Sequence, residues 1–543
     1  MCGIWAFMTE NTCDPAKFES FSKIEGRGPD QSSFTIQQEE YYIGFHRLSI
    51  MDQEKGDQPF KFEENGKRYT CICNGEIYNA EILKKAFVNY YPYKSSSDCE
   101  ILIPMYLKFG ADMIDYLDGV FCFIIIEDTD DGYSAFICRD RIGVRPLFIG
   151  FNNNEIGFSS EIKGLTDLCE TIEVFSPGKY MIIENGQIIK EEIYYSVKSN
   201  NTEFYNSNYE LIVKQLLIDA VHKRLISDRP VCALLSGGLD SSLVCAIASK
   251  KLQEEGKKLY TFSIGMQDCT DDKYANMVAE HIGSIHTNVL ITKEEALNSI
   301  RDVIYATETF DITTIRASVG QYLVSKYISD NTDFKVVLSG DGSDEVASGY
   351  MYNHLAPNVK ELHKEAEKRV EEIHLYDALR ADRATSFHGL ELRVPFLDST
   401  FVDYYLKINP LDRIPTQNRM EKYILRNIFS KDNLLPEEVL WRTKEAFSDG
   451  ISSEEESWHM IIANHVEEKV ELDDKFKHCS PKTKEAYYYR EIFSELFGDK
   501  FSNVIPNYWM PNWTNTDDPS ARELVIKKEI TSNINTSVDI IFY

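Results

Sequence analysis

The sequence predicts two domains of different class: an α+β sandwich, then an α/β domain with a parallel sheet and additional helices. Three observations carry this. The chain has 543 residues, and single hydrophobic cores stop growing beyond ~250–300 residues. Up to about residue 190, short runs rich in β-branched and aromatic residues alternate with Gly, Asn and Asp, as strands joined by turns do. From about residue 209 the pattern becomes apolar run, Gly-rich turn and helix, repeated, which indicates a parallel sheet covered by helices.

The elements follow in order. "YYIGFHRLSIMD", "RYTCICNGEIYN", "GVFCFIIIED", "SAFICRDRIG", "PLFIGFN" and "KYMIIENGQII" read as strands, and periodicity predicts helices at Ala80–Val88 and Asp98–Phe109. "GVFCFIII" (Gly119 to Ile126) is the longest apolar run. It is far short of the ~20 residues a membrane helix requires and suits a buried strand. Alternation in "YTCICNGE" is read as placing Cys71 and Cys73 on opposite strand faces. The Asn/Ser-rich stretch "SVKSNNTEFYNSNYE" marks a linker. The expected boundaries are 1–195, linker 196–208, second domain 209–525 and a polar tail 526–543. In the second domain a helix from Tyr209 to about Leu225 leads into a strand at Val231–Leu235, and "KLYTFSIGM" and "FKVVLSGDGSDE" hold two more strands. From about Lys360 to Gly498 the chain reads as mostly helical.

Composition excludes several functions. Lys and Arg total 58 against 87 Asp and Glu, a net charge of −29, which argues against nucleic-acid binding and against adsorption to anionic membrane. The start "MCGIWAFMTENTCD" lacks the pattern of a secretory signal. The 12 Cys are scattered with no CxxC pair, so apart from Cys2 they are expected as reduced core residues of a cytoplasmic protein, and zinc-ligand spacing is lacking. A homodimer is an open expectation, since symmetric dimers are the commonest homo-oligomers.

"LLSGGLDSS" carries the most chemistry. After the strand, Ser236, Gly237 and Gly238 turn the chain so that backbone N–H groups face one cavity, and Ser241 and Ser242 start a helix whose N-terminus favours anions. Asp240 adds a negative charge, which suits a Mg²⁺ shared with phosphates. No Walker GxxxxGK[ST] is present, and in "SGDGSDE" Glu345 stands where a dinucleotide fingerprint requires its third Gly. SGGxDSS resembles the pyrophosphate loop of the ATP pyrophosphatases, which adenylate a carbonyl oxygen. "LSGDGSDE" also follows a strand, so Asp344 is a candidate second metal ligand.

"MCGI" gains meaning in that company. If Met1 is removed, the α-amine of Cys2 can serve as base for its own thiol. With "RGPDQ" (Arg27 to Gln31), "HRLSI" (His46 to Ile50), "CNGEIYN" (Cys73 to Asn79) and "SSDCEIL" (Ser96 to Leu102), the first domain resembles a class II glutamine amidotransferase, an N-terminal-nucleophile hydrolase of αββα architecture. The resemblance implies Cys2 as nucleophile, with the Asn74 side chain and Gly75 N–H as oxyanion hole. It also implies that Arg47 forks the glutamine α-carboxylate, that Glu76 and Asp98 meet its ammonium, and that Leu48, Ser49, Ile50 and Met51 line the pocket.

From Cys2 to about Leu524 the chain is similar to the glutamine-hydrolysing asparagine synthetases, with "GVRPLF", "ETFDITTIRAS", "LRVPFLD", "RTKEAFSDG" and "YWMPNWTNTDDPSAREL" as further pieces. The family resemblance implies aspartate and MgATP as substrates, a β-aspartyl-AMP intermediate, and ammonia passed internally from Cys2. It places ATP against Leu235, Ile264, Ser339, Gly340 and the Ser236–Ser242 loop, aspartate or its adenylate against Thr313, Thr314 and Arg316, and Lys444 near the α-phosphate. Two departures stand out. Asp341 replaces a usual Glu, a shorter carboxylate expected to slow synthesis, and Gly26 stands where "HRGPD" has His. A ligase for another carboxylate is disfavoured by "TTIRAS" and "RTKEAFSDG". A non-catalytic homologue is disfavoured by the retention of Cys2, Asn74 and Asp240.

Overall fold

A computed structural model describes residues 1–9, 14–37, 40–197, 204–416, 418–444, 450–452, 456–516 and 518–519. The tail 526–543 and much of the expected linker lie outside these residues.

Two six-stranded antiparallel sheets form the first half. One runs Thr171–Val174, Phe148–Asn152, Glu155–Ser159, Gly3–Met8, Tyr41–Arg47 and Gln31–Gln37; the other runs Gln187–Ile193, Lys179–Glu184, Gly132–Arg139, Gly119–Thr129, Lys67–Ile77 and Phe60–Glu64. Alternation builds the layers, because successive side chains point to opposite faces of a strand. Ile4, Ala6, Met8, Ile43 and Phe45 meet Ile72, Ile124, Ile126 and Ile137 between the sheets. The outer face of the second sheet carries Phe121, Phe123, Ile125 and Phe136 under the helices Ala80–Phe87 and Leu102–Phe109. Trp5, Phe7 and Tyr42 cover the other outer face with Phe21 of helix Pro15–Ser22. The result is the expected αββα stack. Cys71 and Cys73 lie together on one outer face while Ile72 faces inward, correcting the reading of opposite faces. Positions i and i+2 share a face.

The second half centres on a five-stranded sheet ordered Ile285–Leu290, Tyr260–Gly265, Val231–Leu234, Val336–Leu338 and Glu391–Arg393, every neighbour parallel. The last strand was not expected within the helical region. Strand order reverses between Val231–Leu234 and Val336–Leu338, and open α/β sheets bind ligands at the carboxyl ends of strands at such a switch point.

The halves are locked by buried charge. Arg27 pairs with Glu161 at 3.0 Å and with Asp382 at 2.8 Å, and Lys163 pairs with Glu308 at 3.2 Å. Glu308 also accepts the N–H groups of Ile162 and Lys163, both at 2.8 Å. Removing one partner of such a pair strands the other charge, so each half depends on the other.

Candidate active sites

Cys2 immediately precedes the strand Gly3–Met8. Its carbonyl accepts from Arg27 Nε at 3.0 Å and its thiol donates to the Leu48 carbonyl at 3.7 Å. Met1 is fully buried, its amine donating to the Leu390 carbonyl at 3.4 Å. Burial pulls that amine down to about 6 and pushes the Cys2 thiol up to about 11. With Met1 attached, the thiol is therefore protonated and has no amine of its own.

Asn74 and Gly75 sit in the strand Lys67–Ile77, next to the edge strand Phe60–Glu64. Asn74 is completely buried, yet neither Nδ2 nor Oδ1 has a hydrogen-bond partner. Buried polar groups are nearly always satisfied, so this amide stands out as able to meet a ligand with both its donor and its acceptor. A Cβ on Gly75 would lie 2.4 Å from the Val120 carbonyl, so only glycine allows that strand approach. The Asp30 carboxylate accepts the Ser49 N–H at 2.8 Å, which fixes the segment beyond Arg47. Leu48 and Ile50 pack with Val336 of the second domain, with Cys2, Met51 and Val231 against them.

Arg47 is engaged by its own loop. Its guanidinium donates to the carbonyls of Gln53 and Met51, both at 3.3 Å, and to that of Asp52, and it pairs with Asp57. It braces the 51–57 loop, and a glutamine carboxylate would have to share it. Glu76 is paired with Arg393 Nη2 at 3.1 Å, and Asp98 accepts the Ile77 N–H at 2.7 Å. At Gly26 an added Cβ would lie 3.2 Å from the Phe387 carbonyl. The close approach of the second domain at this point favours a residue without a side chain.

The second site is a cavity of about 230 Å³ at the switch point. Of the predicted residues it is lined by Leu235, Ser236, Gly238, Asp240, Ser241, Ile264, Thr313, Thr314, Ser339, Gly340, Asp341, Asp344 and Lys444. Gly237 and Ser242 complete the loop behind this lining. Gly237 has φ +73°, and a Cβ there would meet the Ala275 N–H at 2.5 Å. A Cβ on Gly340 would lie 2.5 Å from the Ser241 nitrogen. That absent Cβ lets the two loops touch. The helix Leu239–Glu254 has no side-chain cap, which leaves its first N–H groups for an anion.

Arg316 does not belong to the cavity. Its guanidinium is committed to Glu485, with Nε 2.8 Å from Oε1, and to Asp518 at 2.8 Å. The face turned to the cavity runs Thr313, Ala317, Gln321 and Val324, and Arg316 lies about 100° off it at 3.6 residues per turn.

The cavity is charged by opposed groups. Lys422 Nζ lies 2.5 Å from Asp240 Oδ2 and 2.6 Å from Asp344 Oδ1, while Lys444 is 2.7 Å from Asp344 Oδ2. Burial works to raise the Asp344 carboxyl, but Lys422 and Lys444 outweigh it and hold it below the ordinary carboxylate range. Among the described residues no three His, Cys, Asp or Glu side chains group to hold a metal. Two hard carboxylates aimed at one cationic point do suit Mg²⁺, which commonly takes one or two carboxylates and fills its octahedron with phosphate oxygens and water.

Lys422, Arg380 and Gln321 are cavity residues that the sequence did not reveal. No local signal distinguishes them.

Architecture and sites define a two-centre enzyme, an amidotransferase-type sandwich joined to a nucleotide-loop α/β domain. Comparison with known proteins narrows this. Residues 1–207 match the glutamine amidotransferase domain family, and residues 212–361 and 354–516 match the asparagine synthase family. The asparagine synthetases [glutamine-hydrolyzing] of Bos taurus and Homo sapiens are each 42% identical over 561 residues, covering 96% of this chain and 98% of theirs. A solved glutamine phosphoribosylpyrophosphate amidotransferase from B. subtilis aligns over 53% of this chain and 81% of its own, at 16% identity and TM-score 0.32, too loose to bear on function. The chain belongs to the family of glutamine-hydrolysing asparagine synthetases.

Proposed function

We propose that this protein is a carbon–nitrogen ligase that makes asparagine from aspartate, taking nitrogen from glutamine and energy from the conversion of ATP to AMP and pyrophosphate. The observation that carries the reading is the contact of two strand-end loops at the switch point, where Asp240 and Asp344 converge on one cation. A chain that adenylates a carboxylate must neutralise a triphosphate at such a place.

In the first centre, Cys2 freed of Met1 uses its α-amine to take the thiol proton, and its sulfur attacks the glutamine amide carbon. The Asn74 amide and the Gly75 N–H receive the oxyanion, ammonia leaves, and water releases glutamate from the thiolester. Glu76 and Asp98 hold the ammonium group, Arg47 shares the carboxylate, and the Leu48–Met51 segment closes the pocket.

In the second centre, the Ser236–Ser242 loop cradles the pyrophosphate part of ATP, while Leu235, Ile264, Ser339 and Gly340 position the nucleotide. Thr313 and Thr314, whose hydroxyls donate to Asp311 at 2.7 Å, offer oxygen lone pairs to the aspartate ammonium. Lys444 offsets charge that develops at the α-phosphorus. Asp240 and Asp344 would hold Mg²⁺, which when bound neutralises phosphate charge. The aspartate β-carboxylate displaces pyrophosphate to give β-aspartyl-AMP, and ammonia attacks that carbonyl to give asparagine and AMP. Asp341, which lines this cavity, is assigned to accept a proton from the attacking ammonia. Leu48 and Ile50 pack against Val336 and Val231, so the Cys2 side of the first half abuts the sheet of the second; internal passage of ammonia across this boundary completes the reading. No described helix is long and apolar enough to cross a membrane, and the described cysteines are free thiols, in keeping with a cytoplasmic setting.

Cys2→Ala tests the division of labour. It is expected to abolish glutamine-dependent synthesis and to leave ammonia-dependent synthesis in place; retained glutamine-dependent synthesis would remove Cys2 from its role.

A further inference from the structure

We propose that Arg393 is a positioning residue shared by the two centres, coupling glutamine occupancy beside Cys2 to the nucleotide loop at Ser339. The proposal rests on the reading of Glu76 as partner of the glutamine ammonium.

Arg393 ends the edge strand Glu391–Arg393, in register with Leu338 of the neighbouring strand. Its carbonyl accepts the Ser339 N–H at 3.0 Å. Its main chain thus fixes the first residue of the loop that carries Gly340 and Asp341. Its side chain belongs to the other centre. The guanidinium is fully buried, its Nη2 3.1 Å from Glu76 Oε1, one residue past Gly75 of the oxyanion pair. It is aimed from the second domain: Nε donates to Glu391 at 2.8 Å and Nη1 to the Arg224 carbonyl at 2.9 Å. A guanidinium projects its nitrogens in one rigid plane, so these contacts determine where the Nη2 that forms the ion pair with Glu76 lies.

One residue therefore has its main chain in one site and its side chain in the other. When an ammonium reaches Glu76, the carboxylate divides its charge between that group and Arg393. The guanidinium charge is then taken up more by Glu391, and because the carbonyl of the same residue holds Ser339, the change in load falls on the strand end that fixes the nucleotide loop. The same contacts transmit nucleotide binding back to Glu76, because coupling free energies between binding sites are reciprocal.

The test uses full-length protein carrying Cys2→Ala, which cannot consume glutamine. ATP affinity with Mg²⁺ is measured by calorimetry with and without saturating glutamine, and glutamine affinity with and without ATP. The expected result is a change of about threefold or more, equal in both directions. Adding Arg393→Lys, which keeps the charge and loses the fork, is expected to bring the factor to about one while both ligands still bind. A merely structural arginine would weaken binding without abolishing the factor. Should Arg393→Lys fail to fold, Glu76→Asp, which withdraws the carboxylate from Arg393, is expected to flatten the factor in the same way. A factor that survives either substitution, or that is already one with Arg393 intact, overturns the coupling. If glutamine fails to bind the Cys2→Ala protein at all, the reading of the first centre falls and the coupling with it.

Discussion

Arg380 reaches Asp341 with Nη2 2.8 Å from Oδ1, and the same nitrogen lies 3.0 Å from Asp377. The second Asp341 oxygen accepts from the Ser339 hydroxyl. Both oxygens of the carboxylate proposed as proton acceptor are thus drawn to the cavity wall. Asp341→Asn is expected to cut ammonia-dependent synthesis by about 100-fold or more while sparing glutamine hydrolysis. Asp341→Glu, one methylene longer, restores the family's usual residue and is expected to raise the synthesis rate. Steady-state assays of both half-reactions decide this; an Asn variant with unchanged synthesis would remove Asp341 from the chemistry.

Lys422 occupies the point where Asp240 and Asp344 converge. Its backbone is left-handed, with φ +57°, and its tail lies over Gly349, where a Cβ would sit 1.9 Å from Lys422 Cε. Strain of this kind persists only where the surroundings enforce it. Lys422→Met leaves the Asp240 carboxylate with the Ser343 hydroxyl at 2.7 Å and Lys444 at 3.9 Å, and is expected to cost about 3 kcal/mol. Mg²⁺ without nucleotide should raise the melting temperature of Lys422→Met more than that of the unmodified protein. Equal responses would show that the lysine does not hold the cation's place.

The Cys2 thiol, held near 11 while Met1 remains, predicts slow alkylation of any form with a blocked N-terminus. A version extended by a non-removable tag is expected to lose glutamine hydrolysis and keep ammonia-dependent synthesis. Iodoacetamide labelling at neutral pH, followed by peptide mapping, should find Cys2 more than about 10-fold faster once Met1 is gone, because the thiolate is the nucleophile. Rapid labelling of the tagged form would contradict the assignment.

Stability should fall on mild acidification. Burial pulls His388 down to about 4 and His374 to about 3, against an ordinary value of 6.5. A histidine buried neutral binds its proton more readily in the unfolded chain. Its contribution is therefore whole above pH 6.5 and is lost as pH falls toward 4, about 3 kcal/mol for His388 alone. Urea midpoints between pH 7 and 5 should drop, and the drop should be smaller in His388→Gln. An identical pH profile in that variant would contradict the assignment.

The sequence was most legible where chemistry is local. "LLSGGLDSS" requires a tight turn, free N–H groups and a helix start within a few residues, and the structure has all three at Gly237, Gly238 and Leu239. Alternation likewise showed the strands, though not the three-residue strand Glu391–Arg393, which is too short to show a period. Lys422, Arg380 and Arg393 were illegible because their meaning comes from partners 39 to 317 positions away, as in Lys422–Asp240, Arg380–Asp341 and Arg393–Glu76. Arg316 failed for the same reason, its guanidinium being claimed by Glu485 and Asp518 from the end of the chain.

The central claim is that one chain moves the glutamine amide nitrogen onto aspartate at the expense of an adenylation. The most direct measurement supplies MgATP, aspartate and amide-labelled glutamine, and quantifies labelled asparagine, AMP, pyrophosphate and ADP. The account predicts equal asparagine, AMP and pyrophosphate, with no ADP. Glutamate released without AMP, or asparagine accompanied by ADP, would contradict it.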